Sequence, residues 1–91
     1  MSYDKYKIIC VDDDLDVLGV SKDIVETLGY NVEIFSEAPV AVEYIKQHKS
    51  NIMLILSDLR MDIVNGFGFK KMLKDDNIDI PFVIITGYWT K

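Results

Sequence analysis

The sequence predicts an α/β domain built on a doubly wound parallel sheet, and three observations carry that expectation. Short apolar runs rich in β-branched residues alternate with stretches whose apolar residues recur at helical spacing. One of the runs, residues 52–56, is apolar without interruption, as strands covered by helices on both faces are. The order βαβαβαβ implies parallel strands joined by right-handed crossovers, with helices on both faces of the sheet.

The first strand is residues 8–11, which stop abruptly at Asp12, Asp13 and Asp14. A first helix follows over residues 15–28. Leu15, Leu18, Ile24, Val25 and Leu28 keep helical spacing, the aspartates suit its positive N-terminal end, and Gly29 stands at the expected C-terminal cap. Val32, Ile34 and Phe35 form the second strand. Ser36 is the expected N-cap of a second helix, which carries Pro39 in its first turn and Ala38, Ala41, Val42 and Ile45 on one face. Residues 52–56 are the third strand, again ending near an acid, Asp58. After a loop through Asn65 and Gly66, residues 67–73 are predicted helical, with Phe69, Met72 and Leu73 inward. Pro81 opens a fourth strand, residues 82–85, that ends at Thr86 and Gly87.

Ninety-one residues accommodate one core, so residues 1–91 are read as a single domain without repeats or linkers. Fifteen acidic against ten basic residues, a net charge of -5 and a pI near 4.6 oppose contact with nucleic acid or an anionic membrane. No apolar stretch approaches the length of a signal peptide's core or a membrane span. The single cysteine, Cys10, lies in an apolar run and has no internal partner. A cytoplasmic location is the expectation.

Ligands of open parallel sheets bind at the carboxyl ends of the strands, and Asp12, Asp13, Asp58 and Thr86 all stand there. Taken singly, such aspartates cap helices and such a threonine turns the chain. Taken together, clustered carboxylates repel, by about 4 kcal/mol per pair at about 4 Å and an effective dielectric near 20. A cation relieves that repulsion. Oxygen ligands with no histidine or cysteine beside them suit Mg2+ or Mn2+ rather than zinc. His48 is expected to be a solvated surface residue without a role. The first βα turn has no glycine, which excludes a phosphate loop and a dinucleotide fingerprint, and no Ser-His-Asp or Cys-His set can be assembled.

These residues resemble the receiver domain of two-component response regulators. The resemblance rests on Asp12-Asp13 after the first strand, on the stretch Ser57-Asp58-Leu59-Arg60-Met61 with Gly66 beyond it, and on Thr86 after Ile84-Ile85. It implies a flavodoxin-like doubly wound fold, here lacking the fifth strand and last helices, with no output domain in this chain. It implies a signalling switch rather than an enzyme, in which Asp58 takes a phosphoryl group from a histidine kinase or phosphotransfer protein and partner binding then changes. It also implies that Asp12, Asp13, Asp58 and the backbone carbonyl of Arg60 hold Mg2+ or Mn2+. Thr86 and the backbone of Leu59 and Gly87 would bind the phosphoryl oxygens, and Arg60 and Tyr88 would tune the phosphoryl lifetime.

Asp62 stands where that family usually has proline, so a looser loop with one more negative charge is expected beside the site. The family's lysine on a fifth strand has no counterpart before Lys91, and phosphorylation is therefore expected to be impaired. The fourth strand is expected to present an open edge for self-association. Two alternatives are a fragment similar to haloacid-dehalogenase-type phosphatases, with Asp12 as nucleophile, and a degenerate receiver acting only as a protein-interaction module.

Overall fold

The computed structural model describes residues 6–85. Its elements are β1 (Lys7–Val11), α1 (Leu15–Thr27), β2 (Asn31–Phe35), α2 (Ala38–His48), a single 3-10 turn (Lys49–Asn51), β3 (Ile52–Asp58), α3 (Gly66–Asp75) and β4 (Phe82–Ile85). The four strands form one parallel sheet, as the alternation predicts, in the order β2-β1-β3-β4. The chain steps outward from β1 to β2 and then crosses back over β1 to β3. The gap between the carboxyl ends of β1 and β3 is thus the point where the strand order reverses.

Two apolar layers hold the sheet. Ile8 and Cys10 of β1 meet Leu18 and Val25 of α1 on one face. Ile9, Val11 and Ile55 meet Ala41, Val42 and Ile45 of α2 and Phe69 and Leu73 of α3 on the other. Phe69 is fully buried and meets Phe82 of β4 edge-on, with ring centroids 5.2 Å apart. Burial pushes the Cys10 thiol up to about 11, so it stays protonated and inert at neutral pH.

Only part of the face expected of α1 is buried. Leu18 and Val25 lie seven residues apart, close to two helical turns, and point into the sheet, whereas Leu15, Ile24 and Leu28 are exposed. Ile24 sits about 120° round the helix from Leu18, and α1 packs on β1 and β2 rather than over β3 and β4.

Helix ends follow local chemistry. Gly29, at φ +96°, closes α1 through bonds from its N–H to Glu26 O and from the Tyr30 N–H to Val25 O. Asn77, at φ +60°, closes α3 in the same pattern, and Ile78 beyond it packs into the core with Leu73. The N-cap of α2 is Glu37, not Ser36, and no side chain caps it. Pro39 in the first turn lacks one of the N–H groups that a cap would serve. His48 also departs from the expected solvated position: it is half-buried, stacked on Tyr44 at 4.1 Å, with Nδ1 2.9 Å from the Tyr44 carbonyl oxygen. It stands at the end of α2 that leads into the start of β3, at the opposite edge of the sheet from the aspartates. No helix among the described residues is long and apolar enough to cross a membrane.

Candidate functional site

Register brings the acidic residues together. Val11 is paired with Ser57 across β1 and β3, so Asp12 and Asp58, the next residues on each strand, come abreast at the switch point. β3 runs to Asp58, two residues beyond the apolar run, because Ser57 is buried and Asp58 still pairs with Ile85 of β4. Asp12, Asp13 and Asp58 each offer a carboxylate oxygen within 4.8 Å of the others.

The three aspartates after β1 have different tasks. Asp14 is the N-cap of α1, its Oδ1 accepting the N–H groups of Asp16 at 3.0 Å and Val17 at 3.3 Å. Asp12 Oδ1 accepts the Asp14 N–H at 2.9 Å, which folds the turn back on itself. Asp13 is exposed, and its Oδ2 accepts the backbone N–H of Asp62 at 3.0 Å from the loop after β3.

Asp58 is held by its own backbone. The buried Ser57 hydroxyl donates to the Asp58 carbonyl at 2.9 Å. The Leu59 N–H donates to Ile85 O at 3.1 Å, and the Leu59 carbonyl accepts the Gly66 N–H at 2.9 Å. Gly66 lies so close that a Cβ there would come within 2.8 Å of the Asp58 carbonyl oxygen and 3.2 Å of Leu59 Cα. Only glycine fits without displacing the backbone of the site.

The electrostatics are those of an anionic cluster short of positive charge. Burial raises the Asp12 carboxyl above its ordinary range, the Asp14 N–H offsets part of this, and the charges of Asp58, Asp13 and Asp14 raise it further. Burial also raises Asp58, against the N–H groups of Leu59 and Arg60, with Asp13 raising it and the Arg60 charge lowering it. The cluster opens on a cavity of about 410 Å³ whose other walls include Val17, Leu18, Leu56, Arg60 and Ile85. Three convergent carboxylates with no histidine or cysteine ligand among them are a hard, all-oxygen donor set, which fits Mg2+ or Mn2+.

Of the residues singled out by sequence, Asp12, Asp13 and Asp58 converge, and Arg60 lines the same cavity. Thr86, Gly87 and Tyr88 lie outside the described residues, as do Trp89 and Lys91. The sequence singles out Gly66 only as part of the family pattern, and the reason for it, a close approach to the backbone of Asp58 and Leu59, eight and seven residues away, appears only in the fold. The bond from Asp62 to Asp13 depends on two loops 49 residues apart in sequence.

A carboxylate cluster at the switch point of a parallel α/β sheet defines a class of small domains with an acidic, cation-accepting site at the strand ends. Residues 8–91 match the family model described as the response regulator receiver domain, and the chain belongs to that family. It is 32% identical over 88 residues, 97% of this chain, to the phosphoglycerate transport system transcriptional regulatory protein PgtA of Salmonella typhimurium, and spans 21% of that protein. It is 30% identical over 80 residues, 88% of this chain, to the response regulator SaeR of Staphylococcus epidermidis, and spans 34% of it. Among solved structures, the crystal structure of FixJ-N superposes with a TM-score of 0.82 at 26% identity, covering 89% of this chain and 63% of that one. The fold is therefore that of two-component receivers, a family of signalling domains.

Proposed function

We propose that this chain is a phosphoacceptor switch in which Asp58 receives a phosphoryl group from a phosphohistidine of a kinase or phosphotransfer protein. The convergence of the Asp12, Asp13 and Asp58 carboxylates in a receiver-family chain carries this reading. One Asp58 carboxylate oxygen bonds to phosphorus as the P–N bond of the donor breaks, and the departing imidazole nitrogen takes up a proton. Asp12, Asp13, Asp58 and the backbone carbonyl of Arg60 would hold Mg2+ or Mn2+. When bound, that ion neutralises charge on the phosphoryl oxygens.

The backbone of Leu59 and Gly87 and the hydroxyl of Thr86 are assigned to the phosphoryl oxygens by resemblance to the family, and Arg60 and Tyr88 to the lifetime of the acyl phosphate. The new phosphoryl group raises the charge at Asp58 from one negative to about two, and this change drives the switch in partner binding. A cytoplasmic location and the absence of nucleic-acid contact by this segment belong to the same reading. A phosphatase-type reading with Asp12 as nucleophile leaves the convergence of Asp58 on the same cluster unexplained.

The test is a titration of Mg2+ with and without beryllofluoride, followed by Trp89 fluorescence, in wild type and Asp58→Asn. The expected result is metal-dependent saturation that responds to beryllofluoride only when Asp58 is intact. A folded wild-type chain with no response overturns the proposal and leaves the interaction-module alternative. Labelling of Asp12 by a small phosphodonor overturns it in favour of the phosphatase reading.

The outer edge of β4 pairs with no other strand among the described residues, and Val83 and Ile85 beside it are exposed. Self-association of the chain through this edge is part of the proposal. Light scattering is expected to show a mass that rises with concentration, and a strict monomer at high concentration excludes it.

A further inference from the structure

The hydrogen bond from the Asp62 N–H to Asp13 Oδ2 joins the loop after β1 to the loop after β3, the two segments that flank the acidic cluster. Asp13 is the exposed member of the three, so little packing restrains its side chain. An exposed carboxylate samples several rotamers, and ordering it on a cation carries an entropic cost. A fixed N–H on one oxygen sets the plane of the carboxylate in advance and leaves the other oxygen free to ligate. Partners of this outer kind are typically worth about 10–100-fold in metal affinity.

The donor is available only because residue 62 is not proline, which has no backbone N–H. The loop without that proline gains a backbone donor, and its N–H reaches across to Asp13. Asp13 and Asp62 also line a second, smaller cleft of about 170 Å³ with Ser36, Glu37 and Met61.

We infer that the Asp62 backbone N–H is a positioning group for the Asp13 carboxylate, presetting it to ligate the divalent cation. This inference rests on the metal-holding role proposed for Asp12, Asp13 and Asp58. The group acts through Asp13 and touches neither metal nor phosphoryl donor.

Three variants separate the donor from its alternatives. Asp62→Pro deletes the N–H while stiffening the loop, Asp62→Ala keeps the N–H and deletes the carboxylate, and Asp13→Ala deletes the acceptor. Each is checked for wild-type melting in the absence of metal and then titrated with Mn2+. Asp62→Pro is expected to bind about tenfold more weakly, Asp62→Ala within about threefold of wild type, and Asp62→Pro is expected to add nothing in the Asp13→Ala background. Since proline stiffens the loop, loss of affinity in that variant cannot be assigned to a floppy backbone. Wild-type affinity in a folded Asp62→Pro chain overturns the inference, as does equal weakening by Asp62→Ala. The bond itself is read without metal from amide exchange at Asp62, expected to be slowed in wild type and faster in Asp13→Ala. A protected Asp62 amide in a wild-type chain that binds no Mn2+ overturns the site reading and the metal role of the tie together. An unprotected amide overturns the tie alone.

Discussion

Gly66→Ala is expected to lower stability by about 1–3 kcal/mol and to weaken divalent-cation binding in the same stroke. The new Cβ would fall 2.8 Å from the Asp58 carbonyl oxygen and 3.2 Å from Leu59 Cα, and both are backbone atoms that no side-chain rotation can move aside. Relief requires either retreat of α3, which would pull Phe69 out of the core, or a shift of the Asp58–Leu59 backbone. The second route moves Asp58 and strains the Gly66 N–H bond to the Leu59 carbonyl. Gly19→Ala is the natural control, because a Cβ at Gly19 meets nothing within 4 Å and an α-helical interior favours alanine by about 1 kcal/mol. Urea melts of both variants with a Mn2+ titration check the pair. A Gly66→Ala chain with wild-type stability and affinity would show that the backbone yields at no cost.

Asp12→Asn is expected to have effects of opposite sign on stability and on metal binding. Asparagine keeps a carbonyl oxygen for the Asp14 N–H and removes one of the three mutually repelling charges. In the presence of a chelator at pH 7 the variant gains about 1 kcal/mol, a figure discounted for solvent screening at this part-exposed site. For a chain of this size that is a rise in Tm of about 4–8 °C. If Asp12 ligates the cation as proposed, metal affinity falls by at least about tenfold, since a ligand is worth no less than its outer partners.

The pH dependence fixes the sign. Asp12 and Asp58 are raised above the ordinary carboxylate range, so the folded metal-free chain holds their protons more tightly than the unfolded chain does. Their contribution is favourable below the unfolded value near 4 and is lost as pH rises through the folded values. The gain from Asp12→Asn is therefore present at pH 7 and absent below about pH 4, while protons displace the cation in that same acid range. Melts at the two pH values, with chelator and with Mg2+, decide the point. A variant less stable than wild type at pH 7 without metal would mean that the combined cost of burying and crowding the Asp12 charge does not weaken the metal-free fold.

Much of this was legible in the residues alone. Alternating apolar runs define the order of elements, and uninterrupted apolarity over residues 52–56 marks β3 as an inner strand. Acids at two strand ends locate the site, because a parallel sheet brings carboxyl ends to one edge. What periodicity misses is lateral placement. Leu15, Ile24 and Leu28 fit the helical repeat as well as Leu18 and Val25 do, but α1 packs mainly on β1 and β2 and buries a narrow stripe. Caps are missed for a related reason: Ser36 is a good N-cap by type, yet Pro39 removes one of the donors it would have served. The Gly66 contact and the Asp62 bond join segments that meet only after the sheet has formed.

The crossing of β2 and α2 back over β1 also sets when the site comes into being. Asp12 and Asp58 stand abreast only once β1 has paired with β3, a contact that encloses all of α1, β2 and α2. Loop-closure entropy must be overcome before that pairing is rewarded, so the acidic edge belongs to the non-local, late-forming part of the folding reaction. A chain with helices formed and β1 still unpaired from β3 carries its aspartates dispersed, without mutual repulsion and without a ligand cage. The repulsion among the aspartates is thus absent earlier in folding, and a divalent cation bound at the acidic edge would act chiefly by slowing unfolding rather than by speeding the search.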